Sequence, residues 1–230
     1  MLLLTNLWTP PLKLRSTTFD NISNVSCPVT HIKLYSQTIM SGQKTQFLKD
    51  GFGDILWLDI VNSKHYDGFG NFTDHLQDTV WLTTLLAHYQ LGSISPTPLP
   101  RELLDLRQWL RHIAQTIAQN VPLTQEDIDI LNDYLAEPGV RHFRYAPEQE
   151  SQILIKPVQL NWRWVYAETA VSLANMLNPK QQKRIKICPN PGCNWAFFDT
   201  TRGNNRRWCN DLTCGNRDKV RRYRRRQNTQ

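Results

Sequence analysis

The chain has 230 residues, 40% of them hydrophobic and 20% charged, and its 27 Lys/Arg against 20 Asp/Glu give a formal net charge of +7. That suits one or two packed domains and excludes a disordered, collagenous or disulfide-rich chain; the lack of an apolar run of about 18 residues excludes a helical membrane span. The charge is unevenly placed: residues 183–226 hold 13 basic and 3 acidic side chains, residues 1–182 hold 14 and 17, so a slightly acidic body carries a basic end suited to a polyanion.

Residues 1–49 show no periodic element and are expected to form a poorly structured extension. Met1–Leu4 is apolar, but no basic region precedes it and Pro10-Pro11 interrupt it, so a secretory leader is not expected. The first strong apolar segment, Ile55–Val61, begins only after Met40, and a translation start at Met40 is one reading of that order. Ile55–Val61 itself is a buried strand or the start of a helix, since a short apolar run does not decide. After the Gly68/Gly70 loop, Thr73 or Asp74 can cap a helix in which Leu76, Val80, Leu82, Leu85, Leu86 and Tyr89 keep helical spacing, and Gly92 ends it.

Ser93–Pro100 is a Pro-rich linker. A second helix is predicted from about Glu102 to Asn120, with Leu103, Leu106, Leu110, Ile113 and Ile117 on one face and Pro122 beyond it. Thr124 starts a third, with Ile128, Leu131 and Leu135 inward, ended by Pro138-Gly139. His142–Tyr145 and Ile153–Ile155 read as a hairpin. A last body helix spans about Trp162 to Leu177, bringing Val165, Thr169, Leu173 and Met176 to one face, and Asn178-Pro179 breaks it. The body is therefore 50–180, mainly helical with a small hairpin.

Residues 183–227 differ in kind. The pattern Cys188-x4-Cys193-x15-Cys209-x4-Cys214 offers two pairs of thiolates on short loops, the arrangement a tetrahedral Zn²⁺ requires. Cys27 stands alone, and paired cysteines in a cytoplasmic protein favour metal over disulfide. Trp195–Phe198 and Arg206–Trp208 read as two short strands around a turn at Thr200–Asn205, and Cys214 heads a helix running to about Arg226. A knuckle, a hairpin and a helix carrying the last ligand describe a treble-clef-like finger, so the fold class is α+β. Four cysteines leave no open position for water, so the one zinc is structural, not catalytic. Cys188, Cys193, Cys209 and Cys214 are its ligands.

The helix after Cys214 is rich in arginine. Val220 and Tyr223 are spaced to pack on the finger, leaving Arg217, Lys219, Arg221, Arg222, Arg224, Arg225 and Arg226 for phosphate or guanine edges, with Arg202, Arg206 and Arg207 extending the surface. The competing reading is a solvated helix, or one docked on the acidic body.

Cys193-Asn194-Trp195-Ala196-Phe197-Phe198-Asp199-Thr200-Thr201-Arg202, then Arg206-Arg207-Trp208-Cys209 and Cys214-Gly215-Asn216-Arg217, closely resemble the CGNR zinc-finger family. Leu58–Ser63, Trp81-Leu82, Leu106-Arg107, Leu110-Arg111 and Leu131-Asn132 resemble, less specifically, the ABATE domain found upstream of that finger. The resemblance covers about residues 50–226 and implies zinc on the four cysteines and DNA as first-choice partner, in proteins regarded as bacterial stress-induced transcription regulators. Asn210–Thr213 replaces the family's more usual Ser-Met-Ala-rich link, and Thr201 stands where Ser is common; both blur any detailed reading of DNA contacts. Residues 1–49 resemble nothing comparable.

Asp59 and Asn62 end an apolar run and are candidates to line a ligand pocket; the alternative is that Asp59 caps a helix or binds backbone and Asn62 makes a turn. Trp57, Trp81, Trp109, Trp162 and Trp164 are candidates for a pocket floor or for the core. His65, His75, His88, His112 and His142 show no metal-ligand spacing. No nucleophile–base pair, phosphate loop or spaced carboxylate pair is present, so an enzyme is not expected. The sequence points to a cytoplasmic, zinc-dependent DNA-binding regulator with a sensor or scaffold body, with a small-molecule effector and homo-oligomer both open; an RNA- or ribosome-associated protein is the alternative.

Overall fold

The computed structural model describes residues 53–67, 69–145 and 151–228. The expectations for residues 1–49, including the start at Met40 and the solitary Cys27, lie outside them. The apolar run after Ile55 is a helix, α1 (Leu56–Asn62), whose seven residues are all buried. Enclosure on every side explains why periodicity alone leaves its type open.

Two three-residue strands follow, β1 (Lys64–Tyr66) and β2 (Phe72–Asp74), paired antiparallel. The Asp67 carboxylate tightens the turn between them, accepting from the Phe69 amide at 2.6 Å, the Asn71 amide at 3.2 Å and the Asn71 side chain at 2.8 Å. Asp74 then caps a single 3₁₀ turn, His75–Gln77. The helix expected from Thr73 or Asp74 begins later: α2 (Thr79–His88) starts at Asp78, whose carboxylate accepts from the Val80 and Trp81 amides at 2.8 and 3.2 Å. Gly92 ends this region at φ +91°, and a Cβ there would sit 2.7 Å from Leu160 Cδ1.

The next two helices form where the sequence pattern places them, although Ile128, expected inward on the second, is only half-buried and outside the core cluster. Helix α3 (Arg101–Ala118) buries Leu103, Leu106, Leu110, Ile113 and Ile117. Helix α4 (Gln125–Leu135) opens on a capping box between Thr124 and Asp127. Strands β3 (Gly139–Arg144) and β4 (Gln152–Pro157) form the expected hairpin. Helix α5 (Trp162–Ala174) is capped by Asn161 and buries Trp164, Val165, Thr169 and Leu173. Asn178-Pro179 ends that segment and also starts a short helix, α6 (Pro179–Gln182), because Asn178 accepts from the Gln181 amide at 3.0 Å and proline fits the first helical turn.

The third sheet corrects the sequence reading. Its strands are β5 (Ile185–Ile187) and β6 (Ala196–Phe198), antiparallel with Ile185 opposite Phe198. Arg206–Trp208 is not a strand. Residues on both sides of the first cysteine pair make the hairpin, so the knuckle is its turn. A five-residue π-type turn, Asp211–Gly215, leads into α7 (Asn216–Gln227).

Helices α1 and α5 pack together, α1 and β5 lie against α3, and β6 lies against α1. Strand β6 sits between two apolar clusters. Ala196 and Phe198 join the body core with Trp57, Ile60, Leu106 and Leu110. Phe197 joins the four cysteines. This is the two-residue alternation of a strand covered on both faces. Trp57 and Trp164 are core; Trp81, Trp109 and Trp162 pack partly buried around it. Among the described residues no helix is long and apolar enough to cross a membrane.

Candidate metal centre and basic helix

The Sγ atoms of Cys188, Cys193, Cys209 and Cys214 all lie within 4.8 Å of one another, and all four residues are buried. Cys193 and Cys209 are 3.7 Å apart at sulfur, as are Cys209 and Cys214. A tetrahedral ion with metal–sulfur bonds of about 2.3 Å requires sulfurs roughly 3.8 Å apart, so this donor set fits one metal ion held by the protein alone. The backbone prepares the site: the Cys193 amide donates to the Asn190 carbonyl at 2.8 Å, closing the knuckle, and the Cys188 amide donates to Trp195 at 2.9 Å. Crowding among the sulfurs drives the Cys188 thiol well down and the Cys193 and Cys209 thiols up. Four thiolates cannot share this volume unaided; a divalent cation removes the conflict.

Three supporting groups are not singled out by the sequence reading. Asn190, 4% exposed, donates from its amide to Cys214 Sγ at 3.3 Å and accepts from the Gly192 amide and from Arg221, each at 3.4 Å. Asp199 is fully buried and accepts from Lys186 Nζ at 2.6 Å, the Thr201 hydroxyl at 2.6 Å and the Arg206 amide at 2.8 Å. Burial pushes its carboxyl up, but Lys186 and these donors outweigh burial and hold it below the usual carboxylate range. Lys186 spends its other protons on the carbonyls of Asn204 and Arg206, at 2.8 and 2.9 Å. This buried pair fixes the Thr200–Asn205 loop to β5 and brings Cys209 back toward the knuckle.

The candidate contact residues separate into two groups. The Arg206 guanidinium points into the finger: it donates to the carbonyls of Trp208, at 2.9 Å, and Cys209, and lies 4.8 Å from the Phe197 ring centroid. Arg202 and Arg207 are exposed. Helix α7 has no buried residue. Val220 and Tyr223, spaced to pack on the finger, are instead 49% and 63% exposed. Lys219, Arg222, Arg224, Arg225 and Arg226 are exposed and Arg221 is half-buried. Asp218 restrains two of them, at 2.9 Å from Arg222 and 3.7 Å from Arg221.

The segment Cys214-Gly215-Asn216-Arg217 divides its work residue by residue. Cys214 supplies a sulfur. At Gly215 a Cβ would come within 3.2 Å of Trp208 Cδ1, so the missing side chain lets the helix start against that ring. The Asn216 amide donates to Leu212 at 2.9 Å. Arg217 points back to the body, its guanidinium 3.0 Å from the Phe69 ring centroid and 3.4 Å from the Asp67 carbonyl.

The finger is fastened to the body by polar groups in a buried seam. The Asn62 amide donates to the Ala196 carbonyl at 2.8 Å and accepts from the Ala196 amide at 2.9 Å. Arg111 donates to Asn194 at 2.5 Å and to Val61 at 2.8 Å. Burial, then the neighbouring Arg107, lowers its pKa to about 10, leaving it charged at neutral pH. His65 donates from Nδ1 to the Asn62 carbonyl at 3.0 Å and meets the Trp195 ring edge-on at 4.8 Å; burial lowers its pKa. Arg107 braces the seam by a two-bond pair to Asp74 at 2.5 and 2.8 Å.

The two residues grouped as pocket candidates thus have different occupations. Both Asn62 hydrogen bonds are committed to β6. Asp59 accepts from the Gly53 amide at 2.9 Å and from the Tyr89 hydroxyl, and burial raises its carboxyl to about 7.

The family model for the CGNR zinc finger matches residues 184–227. That for ABATE, described as a putative stress-induced transcription regulator, matches residues 54–174. No curated protein matches the chain.

Proposed function

We propose that this chain, which belongs to the ABATE family and ends in a CGNR zinc finger, is a zinc-dependent DNA-binding transcription regulator and a binding protein rather than an enzyme. The observation that carries the proposal is α7. It has no buried residue, bears seven Lys/Arg against one Asp, and is rooted at Cys214 in the metal centre. A helix with no buried residue takes no support from the body core, and this one presents the charge that phosphates attract. Twelve residues span about 18 Å, and a helix enters the major groove of B-DNA, about 12 Å wide, but not the narrow major groove of duplex RNA. Zinc is the metal that the all-sulfur tetrahedral donor set favours, and with four protein ligands its role is structural. Loaded, it fixes where α7 starts; the body fixes which way the finger faces. An RNA- or ribosome-associated role is the second reading, supported by the exposed Tyr223 ring, which can stack on an unpaired base.

Fluorescence anisotropy with duplex DNA, duplex RNA and single-stranded RNA, titrated against salt, tests the proposal. About six phosphate contacts predict that log K falls with log salt at a slope near −5 on DNA. Tighter binding to single-stranded RNA would install the second reading. Absence of binding to all three at low salt would make α7 a solvated helix.

A further inference from the structure

The N-terminal ends of α3 and α5 and the C-terminal end of α4 enclose a cleft of about 630 Å³, away from the metal centre. That volume lies within the range of small-molecule sites, roughly 300–1,000 Å³. Three rings line it. Trp162 and Tyr166 lie nearly parallel at 27°, centroids 6.4 Å apart, and Tyr134 meets Tyr166 edge-on at 79° and 6.2 Å. The indole is held in place, since Trp162 Nε1 donates to the Ser95 carbonyl at 3.2 Å.

Four carboxylates share the lining with these rings: Glu102 and Asp105 from α3, Asp133 from α4, and Glu137 just beyond it. Arg163 is the one cation in the lining and is paired to Glu137 at 3.1 Å. Asp105 has a distant partner in Arg101, 3.9 Å away on the exposed helix surface. The lining therefore has a balance of −3, four carboxylates against one guanidinium. Helix ends carry about half a charge each, and the two N-termini here are partly offset by the α4 C-terminus, so they do not reverse that sign.

A second, separate observation is Tyr166. It is 6% exposed, it lines the cleft, and its hydroxyl makes no hydrogen bond among the described residues. The hydroxyl is the part of this residue that stays open to the cleft, where a ligand or its water can satisfy it. Burial, then the charge of Glu102, keeps this hydroxyl protonated.

We propose that this cleft is a binding site for a small organic ammonium ion, held by the Tyr134, Trp162 and Tyr166 rings and the surrounding carboxylates. Aromatic faces attract a cation electrostatically, and a ring of carboxylates both raises its local concentration and repels anions. An alkylated ammonium uses both features, since its methyl or methylene groups pack on the rings while its charge faces the carboxylates. The site is independent of the nucleic-acid reading and is tested without DNA.

The test is calorimetric titration of the full-length, zinc-loaded protein with choline, and with 3,3-dimethyl-1-butanol, its uncharged counterpart of the same shape, at constant ionic strength. Choline is expected to bind at least about tenfold more tightly than the neutral compound. Trp162→Leu should weaken choline about tenfold, with Trp162→Phe recovering part of the loss, and the exposed substitutions Glu102→Gln and Asp133→Asn should each weaken it about threefold. Zinc content and melting temperature identify any variant that has lost its fold. Equal binding of the two compounds, no choline binding at millimolar concentration, or unchanged affinity in folded Trp162→Leu and Glu102→Gln would each overturn the proposal.

Discussion

Replacing Asn62 with alanine tests how the finger is held to the body. Asn62 is 4% exposed and Ala196 is 1% exposed, and their two hydrogen bonds, 2.8 and 2.9 Å, are the direct polar link between α1 and β6. Truncation leaves the Ala196 N–H and C=O facing a gap the size of an amide. Each buried group left without a partner costs about 1–3 kcal/mol, and a water entering the gap recovers part of that, so the net loss should be about 2–4 kcal/mol. That is a large fraction of a typical folding stability of about 5–15 kcal/mol. Guanidinium unfolding of the zinc-loaded protein measures the loss, and hydrogen exchange at the Ala196 amide locates it. Zinc content should not change, because the cysteines lie on the other face of β6 with Phe197. Asn62→Asp should be at least as damaging, since its charge faces the Ala196 carbonyl. A stability change under about 0.5 kcal/mol with the amide still protected would refute the reasoning.

Further expectations follow from the same geometry. Cys209→Ser should reduce zinc from about one ion per chain to a small fraction and remove the helical signal of α7, because metal binding contributes about 10–16 kcal/mol to such modules; full zinc retention would remove Cys209 from the ligand set. Because the folded Asp59 carboxyl titrates near 7 and its ordinary value is 3.8, the native state holds a proton that the unfolded chain releases. Its contribution is therefore fully present below about pH 4 and declines up to about pH 7, by as much as ~4 kcal/mol at about 1.4 kcal/mol per unit. Asp59→Asn should flatten that decline in denaturant melts taken across the window, and an equally steep decline in the variant would exclude Asp59 as its cause. Arg206→Ala should lower finger stability by about 1–3 kcal/mol in zinc-dependent melts, since it frees two carbonyls, whereas Arg222→Ala should leave melts unchanged and reduce the salt slope of DNA binding by about one. The reverse pattern would exchange their roles.

The metal centre is legible in the sequence because its chemistry is local. Two cysteine pairs on short loops specify their own geometry, and the helix after Cys214 is visible as charge. Helices α3 and α4 are legible because each turns one face inward, and α5, buried on most sides at Trp164–Ala167, is legible from its length and from the cap or proline at its boundaries. The β5–β6 pairing is less visible. Arg206-Arg207-Trp208 has the composition of a strand, but the partner of β6 is chosen by the body core, which takes Ile185, Ala196 and Phe198 together. The β1–β2 hairpin is three residues a side and depends on one carboxylate, Asp67, which no periodicity reports. The seam is the least legible part. Asn62 and Ala196 are 134 residues apart, and Arg111 and Asn194 are 83 apart, so only folding reveals that they are partners.

That seam bears on how the chain works as a unit. A finger on a flexible tether would present α7 in every orientation, and its arginines would then act mainly as a cloud of charge. Here the strand that carries Phe197 into the cysteine cluster also carries Ala196 and Phe198 into the body core, so the two clusters share a wall. Arg217, at the first turn of α7, is held by Phe69 and the Asp67 carbonyl on the body's β1–β2 turn. The helix is therefore fixed at its root twice, by Cys214 in the metal centre and by Arg217 on the body, while Arg222 through Arg226 extend into solvent. Helix α3 spans the remaining distance. Its Arg107 and Arg111 brace the seam, and Glu102, roughly 13 Å along the same helix from Arg111, lines the carboxylate-rich cleft.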